Sequence, residues 1–327
     1  MNQNLFLGVA QCCMVFMLGF ACQVTAVETK FPSRPIRFIV PFVPGAGTDI
    51  TARTVALKMA DLLAQQIVVD NRPGAAGNIG LDLAAKSPPD GYTVTLVSAT
   101  HTVNYTLQKN LPYDLIKDFA PISQVTSQPY CLTVNAALPA RSLKEMIELI
   151  KNKPNYYTYG SSGSGGLSHL AGTLMSSMAK VNWIHVPYKG GAAAINDMLG
   201  GQIHSLFATI IGTQQHVKAG RLRWLAVSMK KRSPVLPDMP TMSEAGLPGY
   251  DINGWYGILA PAATPKTILD QLNHAVLEAL KYPEVGPRFA TDGSEPAGTT
   301  RTQFTQHILA EVAKHAKLIK EANIKLD

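Results

Sequence analysis

The stretch Ile36-Arg37-Phe38-Ile39-Val40-Pro41-Phe42-Val43-Pro44-Gly45-Ala46-Gly47-Thr48-Asp49 decides how the rest of the chain is read. Its first five residues have the length and aliphatic character of a buried strand. A Pro/Gly loop follows, and Asp49–Leu63 then sets Val55, Met59, Leu62 and Leu63 at helical spacing. Strand, tight loop and helix in that order make the repeating unit of an α/β protein with mainly parallel strands. The same alternation predicts strands at Ile67–Asp70, Val94–Ser98, Leu132–Asn135, Tyr157–Gly160, Ile184–Pro187, Ser205–Ala208 and Trp224–Val227. Helices are expected at Gly77–Lys86, Ser142–Asn152, Leu167–Lys180, Ala192–Gly200, Thr213–Ala219, Lys266–Leu280 and Thr302–Asn323. Ser142 and Glu145 have the spacing of a capping box. Thr264 reads as an N-cap ahead of Pro265, whose missing N–H costs nothing at the first helical position.

The chain has 327 residues, a length that fits two domains. It shows no internal repeat and no low-complexity linker, so two lobes would be joined by more than one crossing. The Pro/Gly-rich segment Pro234–Gly249 and the neighbourhood of Gln128 and Pro129 are the candidate crossings. The expected division is residues 27–127 with 250–327 as one lobe and 128–249 as the other.

Residues 1–26 contain no Lys, Arg, Asp or Glu, and Leu5–Phe20 is an apolar run broken by Gly8, Gln11 and Gly19. That is too short for a membrane span and suits the core of a secretory signal, with Val24-Thr25-Ala26 as its small-residue cleavage site. Lipid attachment at Cys22 is disfavoured, because Gly19 and Phe20 stand where an aliphatic and a small residue belong. Cleavage after Ala26 removes Cys12, Cys13 and Cys22 and leaves Cys131 alone, so no internal disulfide is expected. The net charge of +7 is scattered, with Lys230-Lys231-Arg232 its one cluster. Without zinc-finger spacing or an RNA-binding aromatic signature, this balance does not point to nucleic acid.

Two loops carry the functional signal. In Pro41–Asp49 the glycines let backbone approach a ligand, and the helix start offers unpaired N–H groups. Such an end stabilises an exposed anion by roughly 0.3–1 kcal/mol. Taken alone, this is what any strand–helix turn needs. Tyr159-Gly160-Ser161-Ser162-Gly163-Ser164-Gly165-Gly166 repeats the design ahead of Leu167-Ser168-His169. Two such loops, one in each lobe, suit a cleft that grips an anion by backbone dipoles instead of arginine. Enzyme motifs fail: neither loop has the lysine of a P-loop, and Ile50 and Ser168 stand where a dinucleotide fingerprint needs its third glycine. No serine has glycines two residues to either side. His101, His169, His185 and His204 are isolated, without metal-ligand spacing.

At these loops the sequence resembles the Bug-type periplasmic binding proteins of tripartite tricarboxylate transport systems. The likeness runs through Phe31–Ile36, Pro41–Asp49, Asp70–Gly80, Asp90–Thr93, Leu111–Asp114, Asp118–Ile122, Tyr188–Gly191, His216–Arg223 and Pro240–Met242. It implies a two-lobed periplasmic-binding fold, type II-like, that closes on a small mono- or dicarboxylate without a cofactor or metal. Carried over by position, Phe42, Gly45, Ala46, Thr48 and Asp49 would cradle a carboxylate, and Ser98, Thr100, His101 and Asn104 would border the cleft. Ser161, Ser162, Gly163, Ser164, Gly165 and His169 would close from the other lobe, with Ala208 and Thr209 beside them. Ala46 and Val43 depart from the family's glycine and proline, and Gly166 from its serine. Ala208 stands where the family often has Asp, which removes a partner for a ligand ammonium and points to a plain carboxylate or aromatic acid. The expected partners are membrane transporter subunits, or a sensor kinase, serving a periplasmic monomer. A secreted hydrolase or isomerase using His101 or His169 as base is the competing class.

Overall fold

The computed structural model describes residues 31–45, 47–108, 110–188, 190–291 and 293–321. The expected signal segment 1–26, Cys22 and Ala46 lie outside the described residues. Among those described, no helix is long and apolar enough to cross a membrane.

Two parallel three-stranded units form the ends of one ten-stranded sheet. In the first, β1 (Ile36–Val40) lies between β2 (Ile67–Asn71) and β3 (Thr93–Ser98). In the second, β5 (Thr158–Ser161) lies between β6 (Ile184–Pro187) and β7 (Ser205–Thr209). Each strand feeds a helix, as the sequence alternation requires. These are α1 (Gly47–Leu63), α2 (Asn78–Ala85) and α3 (Ala99–Leu107) in the first unit, and α5 (Leu167–Ala179), α6 (Gly191–Leu199) and α7 (Ile210–Lys218) in the second.

Between the units runs β4 (Phe119–Asn135), 17 residues long. Up to Pro129 it pairs antiparallel with β9 (Asn253–Pro261), which continues to β3; from Tyr130 it pairs with β7 and β8 (Leu222–Val227). The whole sheet is therefore mixed. Pro129 sits at the change of ladder, a place where a strand tolerates a residue without an N–H. After β8 the chain packs on the second unit until Ile252, whose N–H still bonds Ser228, and then enters β9. The remaining elements are α4 (Leu143–Asn152), α8 (Lys266–Ala279), α9 (Val285–Ala290), β10 (Glu295–Pro296) and α10 (Arg301–Glu321).

The strand faces set the core. Ile36, Phe38 and Val40 pack with Val55 and Met59 of α1 and Leu272 and Val276 of α8. A larger cluster runs through both units, from Ile39 and Val97 through Trp255 and Phe304 to Leu132, Phe207 and Tyr250. Two capping expectations are revised. Glu145 bonds back to the Arg141 N–H at 2.5 Å, one residue before the Ser142 cap whose hydroxyl accepts the Glu145 N–H. Thr264 caps nothing: its hydroxyl donates to the Pro261 carbonyl at 2.7 Å, and Pro265 takes the N-cap position of α8.

Gly257 of β9 faces α10 so closely that a Cβ there would lie 2.1 Å from Cζ of Phe304. Phe304 is fully buried with its ring against Trp255, so it has no free side to move to. Gly257→Ala should therefore cost about 1–3 kcal/mol by overpacking, read as a lower denaturant midpoint. An unchanged midpoint would mean that α10 slides away freely.

Candidate functional site

A cavity of about 530 Å³ opens at the carboxyl ends of the parallel strands, where open α/β sheets place their ligands. Four helices begin on its wall: α1 at Gly47 and Thr48, α3 at Ala99 and Thr100, α5 at Leu167, and α6 at Gly191. Two belong to each unit. The floor comes from the crossing strands, with Gln128 and Tyr130 of β4 and Gly254, Trp255 and Tyr256 of β9. Phe42, Ser98, Ser162 and Gly190 complete the wall, and none of these described residues carries a charge. Two depressions of similar size, one over α1, β2 and α9 and one beside Tyr105 and Asp114, contain no such convergence of helix starts.

The loops hold their shape through a repeated device: an acceptor in the first helical turn folds back onto a loop N–H. In the first loop Gly45 adopts φ +79° and donates its N–H to Asp49 at 2.9 Å. Asp49 also accepts from Arg53 at 3.0 Å and from Asn71 at 2.9 Å, and Asn71 donates to the Phe42 carbonyl. In α3 the Nδ1 of His101 accepts the Ser98 N–H at 3.0 Å. In the second unit the Nδ1 of His169 accepts the Gly165 N–H at 3.0 Å. Each bond consumes an N–H outside the helix, leaving the helix-start N–H groups on the cavity.

The anticipated residues thus divide. Phe42, Thr48, Ser98, Thr100 and Ser162 line the cavity, while Asp49 is turned inward and occupied. His101 is wholly buried behind Phe42, with ring centroids 5.6 Å apart, and burial pushes its pKa down to about 4. It is a neutral support, with no solvent path for a general base. Asn104 bonds the Ala76 carbonyl and Asn78, away from the cavity. Ser161 is buried, its hydroxyl 2.7 Å from Nε2 of His185, and His185 stacks on His169 at 3.8 Å. Gly45 is exposed, and Gly163, Ser164 and Gly165 flank Ser162 outside the wall. Ala208 packs among Ala194, Ile195 and Met198, off the cavity, and Thr209 precedes α7. At 208 an Asp would enter an apolar cluster, so this position gives no reading of ligand charge.

Sequence reasoning missed the floor. Gln128, Tyr130 and Trp255 lie on segments that were read as crossings or not assigned, and Gly190 and Gly191 were seen only as part of a motif. Tyr130 is partly buried, and desolvation of its phenol pushes the pKa up to about 12. The glycine–aromatic sequence Gly254-Trp255-Tyr256 was the available signal, since glycine inside a strand marks close approach of a second group.

A family model described as tripartite tricarboxylate transporter family receptor matches residues 51–324. The protein BugT of Bordetella pertussis is 36% identical over 312 residues, covering 94% of this chain and 94% of BugT. Among solved structures, R. palustris Rpa4515 with adipate is 34% identical with a TM-score of 0.79, covering 90% of this chain and 99% of that one. MatC (Rpa3494) from Rhodopseudomonas palustris with bound malate is 28% identical with a TM-score of 0.75, covering 88% and 100%.

The ties on Asp49 have a measurable consequence. Burial opposes its ionisation, but hydrogen bonds from Arg53, the Gly45 N–H and Asn71 outweigh it and hold the carboxyl below its ordinary range. A folded-state pKa below the unfolded value of about 3.9 contributes stability above that value and loses it as pH falls through the folded pKa. Asp49→Ala should therefore destabilise the protein at pH 7, with the gap to wild type narrowing below about pH 4. A gap that stays constant down to pH 2 would remove the ionised carboxylate from this account.

Proposed function

The chain belongs to the tripartite tricarboxylate transporter receptor family, and on that premise we propose that it captures a small carboxylate in this cavity for a membrane transporter. The observation that carries the proposal is Thr48. Thr48 lines the cavity and is almost wholly buried, and its hydroxyl has no hydrogen-bond partner among the described residues. Leaving such a group unsatisfied costs about 1–3 kcal/mol, and a carboxylate oxygen would offset that cost.

In this reading one carboxylate sits at the starts of α1 and α3, with donors from Thr48, Thr100 and the helix N–H groups. A helix start stabilises an anion by up to about 2 kcal/mol when partly buried. The starts of α5 and α6, with Ser162, meet the ligand from the other side, and the Gly163–Gly165 turn with His169 supports that face. We place the two lobes at residues 31–127 with 250–321 and at 128–249, moving about β4 and the entry to β9. Adipate and malate, the acids in the two solved relatives, suggest linear dicarboxylates as the first ligands to try. The receptor would act in the periplasm as a monomer, its closed form being what the transporter recognises.

Thermal unfolding of the purified protein with malate, adipate, citrate, benzoate and glutamate tests this. A true ligand at about a hundred times its Kd adds roughly 2.7 kcal/mol, a rise of a few degrees. The matching amide should give none. Thr48→Val should weaken the best acid about tenfold or more without lowering the ligand-free melting temperature much. If acid and amide shift the melting point equally, the proposal fails.

A further inference from the structure

We infer that Glu311, on the outer helix α10, is a positioning residue for the ligand cavity, acting through Trp255. The inference rests on reading that cavity as the ligand site. Glu311 makes no contact with the cavity itself; its carboxylate is buried behind the floor, 6% exposed. Its Oε2 accepts the indole N–H of Trp255 at 3.3 Å, and Trp255 is a floor residue. The same oxygen lies 3.8 Å from Nε2 of His315. The opposite ring nitrogen of His315 is 3.0 Å from the Thr102 hydroxyl, which donates to the Ala99 carbonyl at 2.7 Å. Ala99 begins α3 on the cavity wall. Nε2 of His315 makes no hydrogen bond among the described residues, so the hydrogen-bonded link from Glu311 to the cavity runs through Trp255.

The surroundings make this more than packing. Phe304 and His307 of α10 stand edge-on to the Trp255 ring, at centroid distances of 5.6 and 5.1 Å. Lys314 neutralises Glu311 at 2.5 Å and lies 3.7 Å from Asp251, just before the chain enters β9. Burial raises the cost of ionising Glu311, but the Lys314 ammonium outweighs it and keeps the carboxyl below its ordinary range. A leucine would fill the site at no desolvation cost, since a buried ion pair rarely stabilises more than an apolar replacement. What leucine cannot do is accept the indole N–H, and without that bond the ring and the backbone of β9 lose their fixed angle to the cavity.

The test compares Glu311→Leu, which removes the acceptor, with Glu311→Gln, whose amide oxygen keeps it. Affinity for malate and adipate is measured by titration calorimetry. The indole N–H signal of Trp255, one of three tryptophans, is followed by NMR of the ¹⁵N-labelled protein. Glu311→Leu should move that signal and weaken the acid bound by wild type about tenfold, while Glu311→Gln recovers most of both. Unchanged affinity in Glu311→Leu overturns the inference, as does an equal loss in both variants with the indole signal unmoved. Should Glu311→Leu fail to fold, Glu311→Met removes the acceptor with an unbranched side chain and should weaken binding about tenfold; full affinity there overturns the inference. A wild-type protein that binds neither acid is a different failure, which removes the cavity reading and this inference with it.

Discussion

A single strand, β4, hydrogen-bonds into both halves of the sheet, and the position of the cavity follows from that. Because its two ends belong to different ladders, the parallel units on either side must present their carboxyl ends towards the same seam. Helices that leave those ends therefore start at the seam. The convergence of α1, α3, α5 and α6 is a consequence of connectivity, since right-handed strand–helix units placed on both sides of a shared strand put their N-termini there. The second crossing, into β9, lies directly beside the first, with Pro129 opposite Asn253. Two adjacent strands make a narrow waist, and Gln128, Tyr130, Trp255 and Tyr256 on that waist become the floor.

A cavity walled by helix starts and uncharged side chains solves an energetic problem. An arginine in the wall would bind a carboxylate strongly, but a buried guanidinium is costly whenever no anion is present. Helix N–H groups carry only partial charge, about half a unit per helix, so they are cheaper to leave facing a cavity. Such a wall requires that each N–H point the right way, and the fold-back acceptors supply that. Asp49 and His169 each hold one loop N–H, and His101 holds the N–H of Ser98 at the end of β3, so the backbone there is fixed before any ligand arrives. Their roles are mechanical, which accounts for a carboxylate and two imidazoles that lie next to a cavity without entering it.

How much of this the chain discloses depends on the type of element. Strands that precede a helix were legible because apolar runs and helical spacing alternate, and β1, β6 and α1 lie where the pattern puts them. The long β4 was legible only from Leu132 to Asn135. Its first part carries Pro121 and Pro129 and buries Ser123, Gln124, Thr126 and Gln128, so neither apolar alternation nor a β-branched run marks it. The strand β9 and helix α3 were missed for related reasons. Gly254 and Gly257 weaken the strand signal of β9, and α3 is a nine-residue helix starting immediately after β3 with no loop between. The cavity wall divides along the same line: helix-start positions such as Thr48 are visible as motifs, while the floor lies on elements that sequence pattern does not reveal.

His101 and His169 act in the loops as acceptors for backbone N–H groups. A general base must exchange a proton with a reacting group, which requires a free nitrogen within hydrogen-bond reach of the substrate. His101 has its Nδ1 taken by the Ser98 N–H, lies wholly inside the protein, and stays neutral to about pH 4. His169 has its Nδ1 taken by the Gly165 N–H and one ring face against His185. Ser161 of the second loop is buried and hydrogen-bonded to His185. Imidazole appears at these places because its ring nitrogen can accept a backbone N–H from one turn away, as Asp49 does in the first loop. The same three contacts that fix the backbone around the cavity thus tie Asp49 and both imidazole Nδ1 atoms to that backbone.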